Sequence, residues 1–223
     1  MTTDYLILKL QGPMQAWGGH SYENTRPTEY FPTRSGIVGL LAACLGIERA
    51  RHASLRDLSE SFSFAVRADQ HLDEMGLASG ALTDFHTVQN VPQVAGGTRT
   101  IVTHRQYLCD LSFTVALRFH QQGRYQMKEV LEAVSKPLYT PYLGRKSCPL
   151  ARPLFECVVK GADFLDALSN VEPREGLVYS EDNLGSVNIL HVRDVPFFER
   201  RRFGTREVYV HYMQKEGLSD VSQ

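Results

Sequence analysis

A cluster of polar residues begins a candidate helix in the stretch FPTRSGIVGLLAACLG, residues 31–46. Thr33, Arg34 and Ser35 fall where the backbone N–H groups of a helix have no partner inside the helix. Such a terminus binds anions, and phosphate is the commonest large anion in biology. Arg34 adds a positive charge that the helix dipole disfavours and a bound phosphate favours. The pattern predicts a phosphate site; the alternative is that Thr33 or Ser35 caps the helix and Arg34 points into solvent.

A second candidate site is the loop YLGRKSCP, residues 142–149, between the second predicted helix and the following strand. It combines an aromatic ring at Tyr142, a glycine at Gly144 and two adjacent cations, Arg145 and Lys146. Aromatic stacking with phosphate contacts is typical of proteins that bind single-stranded RNA. The loop therefore predicts an RNA contact near the exit of the first strand, with a solvated turn as the alternative.

A third candidate is THRQY, residues 103–107, where His104 has the chemistry of a general base that could cut RNA at a 2′-hydroxyl. The alternative is that His104 is a polar residue on an exposed arm. The run ERRRFGTR, residues 199–206, resembles a basic patch for nucleic acid or a partner, although charge runs are usually solvated.

Other catalytic and cofactor motifs are absent from the sequence. It contains no GxGxxG, no P-loop and no nucleophile elbow, and its four cysteines form no CxxC pair with a histidine at zinc spacing. Buried, reduced thiols are the expected state of those cysteines. We therefore expect no cofactor, no metal and no catalytic residue.

The composition is that of an ordinary globular protein, with 223 residues, 43% of them hydrophobic and 22% charged. A net charge of -1 argues against nucleic-acid binding by bulk electrostatics alone. The charge is uneven, since residues 99–160 hold ten Lys and Arg against four Asp and Glu. No apolar run approaches a membrane span and no secretory signal is recognisable, so a cytoplasmic location is expected.

Hydrophobic periodicity predicts the elements that position these sites. Apolar residues spaced i, i+3, i+4, i+7 and i+8 from Ile37 to Leu45 indicate a helix packed on a sheet. Alternation or short apolar runs indicate strands. The order strand, helix, strand, strand, helix, strand predicts an α+β, ferredoxin-like fold of the RRM-type βαββαβ wiring. Its predicted elements are Asp4–Leu10, residues 31–46, Phe62–Val66, Phe113–Phe119, Met127–Val134 and Leu154–Val159.

A long β-hairpin, about residues 84–107, is predicted between the second and third strands. It has little apolar surface to bury and is marginal alone, so it is expected to contact something outside the domain. The core domain with this hairpin is assigned to residues 1–160. Short strands at 177–179, 187–192 and 206–213 predict a small C-terminal β appendage over residues 161–223.

Five sequence blocks resemble one family along essentially the whole chain: LQGPMQAWG, TRPTEYFPTRSGIVGLLAACLGI, QYLCDLSFTVAL, KPLYTPYLGRKSCPL and SDVSQ. They are similar to the CasD family, the RAMP subunit that binds the five-prime handle of crRNA in type I-E CRISPR Cascade. The resemblance implies a ferredoxin-like domain whose hairpin is a protruding thumb. It also implies a non-catalytic subunit for antiviral defence that caps the handle and contacts the CasC backbone subunit and the CasA large subunit, near target DNA.

A relative in type I-C systems cleaves RNA, so a metal-independent endoribonuclease that processes CRISPR repeat RNA remains the alternative. Thr33 and Ser35 at the helix start are expected to contact RNA. The resemblance, carried over position by position, implies ten further contacts with the handle. These are Gln15, Trp17, Arg26, Arg34, Arg105, Tyr107, Tyr142, Gly144, Arg145 and Lys146.

Overall fold

The computed structural model describes residues 2–19, 24–70, 80–93, 96–199 and 202–214. In chain order its elements are β1 (Thr3–Gln11), β2 (Met14–Gln15), β3 (Trp17–Gly18), β4 (Thr25–Arg26), β5 (Thr28–Glu29), α1 (Arg34–Leu45), α2 (His52–Glu60), β6 (Phe62–Ala68), β7 (Ala81–Pro92), β8 (Thr98–Cys109), β9 (Ser112–Phe119), α3 (Met127–Ser135), β10 (Phe155–Gly161), α4 (Phe164–Ser169), β11 (Gly176–Ser180), β12 (Asn188–Phe197) and β13 (Arg202–Met213).

Seven strands form one sheet in the order β10-β1-β9-β6-β11-β13-β12, and every neighbouring pair is antiparallel. Each strand predicted outside the hairpin is present in it, and the two hairpin arms, β7 and β8, belong to a second sheet with β2 and β4. Helix α4 and the short strands β2 to β5 were not predicted, because segments of two to six residues carry almost no periodicity. The predicted mixed α and β architecture, with a mainly antiparallel sheet, is confirmed.

Both faces of the sheet are covered. Alternate residues of β1 divide between them, so Leu6 and Leu8 join a large core with α1, α2 and α3, whereas Tyr5 and Ile7 join a smaller core with α4. This is why the middle of β1 is buried without a break and reads as a continuous apolar run.

The three C-terminal strands continue the same sheet. Val178, Tyr179 and Ser180 of β11 pair with Arg67, Val66 and Ala65 of β6, and β13 and β12 follow outward. The predicted boundary between residues 160 and 161 stays a prediction, but the strands beyond residue 175 share a sheet with the strands before it.

Helix α1 has a defined cap at each end. Thr33 is its N-cap and accepts a hydrogen bond from the Gly36 N–H at 3.3 Å. Gly46 ends it in the left-handed region, with φ 73°, and its N–H donates to the carbonyls of Ala42 and Ala43. The predicted apolar stripe is buried except for Leu45, which is half-buried, and Gly39 on the other side of α1 is exposed.

The thumb is the hairpin of β7 and β8, paired from Ala81 opposite Leu108 to Pro92 opposite Thr98. Its arms carry little buried apolar surface, and Phe85 is 65% exposed. At its foot β8 also pairs with β2 and, in parallel, with β4. The predicted long hairpin is confirmed, and its body-side end is fixed by two short strands that sequence periodicity could not show.

Within the described part of the chain, no helix combines the length and the apolar composition needed to cross a membrane.

Candidate nucleic-acid groove

A groove of about 960 Å³ lies between the exposed side of α1 and the loop that follows α3. The α1 side is made of small residues, and the loop contributes aromatic and cationic ones. Its lining includes Ser35, Gly36, Gly39, Ala43, Arg49, Tyr139, Thr140, Tyr142, Gly144, Lys146 and Phe203, together with the carboxylate of Glu48 and the larger apolar side chains of Trp17, Ile47 and Leu55. Two tyrosines and two cations suit an extended strand that stacks and carries negative charge, and the small residues of α1 leave room for it beside the helix.

The two glycines of α1 have different roles. A Cβ at Gly39 meets no atom within 4 Å, so this position leaves the groove open. A Cβ at Gly36 lies 2.8 Å from Trp17 Cε3 and 3.1 Å from Thr33 Oγ1. Gly36 is therefore required by the packing of Trp17, and only Gly39 keeps space for a ligand.

The loop over residues 142–149 is fixed beside the exit of β1, as predicted. The Ala16 N–H donates to the Leu143 carbonyl at 3.0 Å, and the Leu143 N–H donates to the Cys148 carbonyl at 2.8 Å. Gly144 has φ +86°, and a Cβ there falls 1.7 Å from the Ala16 carbonyl oxygen. No other residue fits at Gly144, so its place in the site is steric.

Arg34 does not face the groove as an open phosphate ligand. Its guanidinium is mostly buried and forms an ion pair with Glu181, hydrogen bonds to the Ser59 carbonyl and hydroxyl, and a 3.2 Å bond to the Phe62 carbonyl. Its Cζ lies 5.5 Å from the centre of the Phe62 ring. The donors expected to hold phosphate are used inside the protein, and the solvent-facing alternative is equally wrong.

The anion at the start of α1 is the carboxylate of Asp194. Its Oδ2 accepts from the Arg34 backbone N–H at 2.7 Å, and it pairs bidentately with Arg206 at 2.8 and 2.9 Å. Asp194 is 1% exposed. The prediction of an anion at this terminus is correct in its physics, but the carboxylate comes from β12. The capping alternative is correct for Thr33.

Gln15 and Trp17 are internal. The Trp17 Nε1–H donates to Gln15 Oε1 at 3.0 Å, and Gln15 Nε2 donates to the Leu111 carbonyl at 2.7 Å. Both side chains have no exposed surface, so neither presents a face for base stacking. They support the groove by fixing the chain between β1 and α1.

Tyr107 is buried beneath Arg145, which is itself half-buried. The Arg145 guanidinium lies 4.6 Å from the ring centre of Tyr107, which is 5% exposed. Arg26 and Arg105 are paired in the parallel register of β4 and β8, and Arg105 Nε donates to the Thr103 hydroxyl at 3.3 Å. These four residues lie together at the foot of the thumb and are not among the residues that line the groove.

Ser35, Tyr142 and Lys146 are the predicted residues that line the groove with accessible side chains. Sequence reasoning missed Arg49, Tyr139 and Phe203. The Tyr-x-x-Tyr spacing of Tyr139 and Tyr142 was a usable signal, whereas Arg49 and Phe203 reach the groove only through the tertiary fold.

Burial has a clear effect on two acid groups near the site. It raises the pKa of Cys44 to about 11, so this thiol stays protonated at neutral pH and is a core residue rather than a nucleophile. It also raises the pKa of Glu29, with a further contribution from the negative charge of Asp194. The ionised carboxylate of Glu29 is therefore destabilised in the folded protein.

His104 lies exposed on β8, with its ring edge-on to Phe85 at 5.8 Å between centres, and its backbone N–H donates to the Asn24 carbonyl at 2.9 Å. The ring faces the thumb surface rather than the groove lining. Among the described residues, no group of three or more His, Cys, Asp or Glu is arranged to hold a metal ion.

Comparison with known proteins gives consistent matches. The model of the family described as CRISPR-associated protein (Cas_Cas5) matches residues 5–209. The chain is 48% identical to the CRISPR system Cascade subunit CasD of Escherichia coli (strain K12) over 225 aligned positions, which cover 98% of this chain and 99% of that protein.

Two solved structures share the fold. One, titled CRISPR RNA-guided surveillance complex, is 31% identical with a TM-score of 0.71 and covers 94% of this chain and 90% of the other. A second, titled Crystal structure of Cas protein, is 30% identical with a TM-score of 0.67 and covers 95% and 96%.

Proposed function

Because the chain belongs to the CRISPR-associated protein (Cas_Cas5) family, as a CasD-type member, we propose that it is a non-catalytic subunit of a type I-E Cascade complex that grips the five-prime handle of crRNA. The observation that carries the proposal is the groove between α1 and the 139–149 loop. Near-complete coverage of the relative called a Cascade subunit supports the assembly role.

The groove is the proposed path of the handle. Tyr142 and Tyr139 offer ring faces for bases, and Lys146 and Arg49 offer charge for phosphates. Gly39 leaves room for the strand to lie against the helix. Gln15, Trp17, Thr33, Arg34 and Gly144 hold the walls in place and make no direct contact in this proposal.

We assign the core to the ferredoxin-like fold. The strands β10, β1, β9 and β6 are the fourth, first, third and second strands of a βαββαβ unit, and they lie in that order with antiparallel neighbours. The thumb is inserted between the second and third strands of this unit. Its exposed arms are the proposed contact for the CasC backbone subunit near the CasA large subunit, in a cytoplasmic complex.

The test is to purify the tagged chain from cells that express the whole complex and map its RNA crosslinks. We expect CRISPR handle sequence to crosslink at Tyr142 or Tyr139. Lys146→Met with Tyr142→Ala should reduce the RNA recovered with the complex about tenfold or more, since stacking is worth about 1–3 kcal/mol per base. Lys128→Met, an exposed change on α3, is the matched control.

Crosslinks confined to residues outside the groove would overturn this site, and absence of handle RNA from the purified complex would overturn the function. Non-catalysis has its own test. The purified chain, incubated with its repeat RNA in EDTA, should leave the RNA intact, whereas site-specific cleavage that is lost in His104→Ala would show an endoribonuclease.

A further inference from the structure

The loop over residues 142–149 has two sides, and the proposed function uses only one. Tyr142 and Lys146 line the groove. Arg145, between them in the sequence, points to the foot of the thumb instead. Three consecutive residues from Gly144 to Lys146 thus connect the RNA site to the thumb.

Arg145 holds two separate strands at once. Its Nη1 donates to the Gln106 carbonyl of β8 at 3.0 Å, and its Nη2 donates to the Arg26 carbonyl of β4 at 3.1 Å. The planar guanidinium also covers the Tyr107 ring. A planar fork with fixed donors can satisfy both carbonyls and the ring together, which a lysine ammonium cannot do in one geometry.

The contact lies where the thumb leaves the body. Just beyond Gln106, β4 of the body still pairs with β8 at His104 and Arg105. From Thr103 to Thr98 the described pairing of β8 is with β7. The six residue steps from His104 to Thr98 span about 20 Å, so a rotation of about 10° at the foot moves the far end by about 3.5 Å. A small error in angle at the foot is thus a large displacement at the tip.

We propose that Arg145 is a positioning residue that fixes the orientation of the thumb relative to the groove. The loop that presents Tyr142 and Lys146 to RNA is then the same element that sets where the thumb can meet a neighbouring subunit. The RNA role of the groove and the partner role of the thumb rest on the proposed function. The orientation of the thumb relative to the groove is a property of the isolated chain and does not depend on them.

The test measures that orientation without RNA or partners. Spin labels are placed by click chemistry at Thr87 on the thumb and Glu129 on α3, both exposed, which leaves the native cysteines untouched. Double electron–electron resonance then gives the distance distribution between them. Arg145→Met should broaden it at least twofold relative to the unsubstituted chain, with Arg145→Lys intermediate and Lys146→Met unchanged.

A thermal melt of each variant separates orientation from general stability. A melting temperature that falls in Arg145→Met while the distribution keeps its width would show a merely structural residue and overturn the proposal, as would no change in either quantity. Since no RNA is present, either result leaves the proposed function to its own crosslinking test.

Discussion

Gly36 and Gly39 lie one turn apart on α1 and meet different surroundings, so the same substitution should have opposite effects. Gly39→Ala is expected to raise the free energy of unfolding by about 0.5–1 kcal/mol, because alanine stabilises a helix interior and the added Cβ meets open space. Gly36→Ala forces a Cβ against Trp17 and should lower it by about 1 kcal/mol or more. Urea unfolding measures both, and equal effects would contradict the assignment.

Substitution of Arg34 tests whether its contacts with Glu181, Ser59 and Phe62 stabilise the folded state. Arg34→Met removes one partner from a mostly buried ion pair and should cost about 3 kcal/mol, since Glu181 loses its nearest cation. Arg206, whose Nη1 lies 3.4 Å from the same carboxylate, limits the loss. Lys128→Met, an exposed change, should stay within about 0.5 kcal/mol. Urea unfolding of both variants decides, and a cost for Arg34→Met as small as that of Lys128→Met would show that the network is not structural.

Glu29 gives a pH-dependent prediction. Its pKa is raised in the folded state by burial and by Asp194, so the folded chain holds this proton more tightly than the unfolded chain does. The carboxylate therefore lowers stability as pH rises past its unfolded pKa. Glu29→Gln should be more stable than the unsubstituted chain at pH 7, and the difference should vanish below about pH 4. Urea unfolding at both pH values is the measurement, and a gain that persists at low pH would contradict the cause given.

At the residue scale, the sequence indicated that an anion should lie at the start of α1, but it did not indicate which residue or ligand supplies that anion. Thr33 could be recognised as a cap because its partner, Gly36, is three residues away. Asp194 could not be recognised as the anion, because it is 160 residues from Arg34 and only the fold brings them together. Local patterns identify local partners.

At the scale of elements, the thumb should be separable from the body. Replacing residues 89–100 with Asn-Gly joins the paired residues Val88 and Ile101 through a two-residue turn that suits antiparallel strands. The free energy of unfolding should change by less than about 1 kcal/mol, because the removed arms bury little apolar surface. Incorporation into the complex, measured by co-purification of the tagged chain, should be lost. Normal incorporation would contradict a contact through the outer thumb.

Long elements were predictable because their periodicity is repeated: the stripe of α1, the alternation of β9 and the exposed arms of the hairpin. The foot of the thumb was not. Strands β2 and β4 have two residues each, too few for periodicity to reveal their pairing with β8. Arg145, which links β4 to β8, lies 39 residues beyond Gln106 in the chain.

For the whole molecule, a net charge of -1 means that RNA affinity comes from local cations and from the assembly. With Lys146 and Arg49 at the groove, the isolated chain should bind single-stranded RNA weakly, with log K falling by about 1.4 per log unit of salt. Lys146→Met should reduce that slope to about 0.7. Fluorescence anisotropy across a salt series checks it, and a slope unchanged by Lys146→Met would move the phosphate contacts elsewhere.

The sequence also did not predict that the C-terminal strands continue the main sheet. The C-terminal strands have the composition of an appendage, but their pairing with β6 depends on the edge that β6 offers once β9 is in place. The order of elements indicated a mixed α and β fold, but the extension of the sheet depends on the tertiary structure.

Asp194 also has a consequence for how the chain folds. A helix that waits for a ligand to neutralise its first turn is completed only when that ligand arrives. Here the balancing carboxylate is carried on the same polypeptide, so α1 is complete as soon as β12 is in place. The start of α1 therefore needs no nucleic acid to be satisfied, and folding of the isolated chain is not expected to depend on bound RNA.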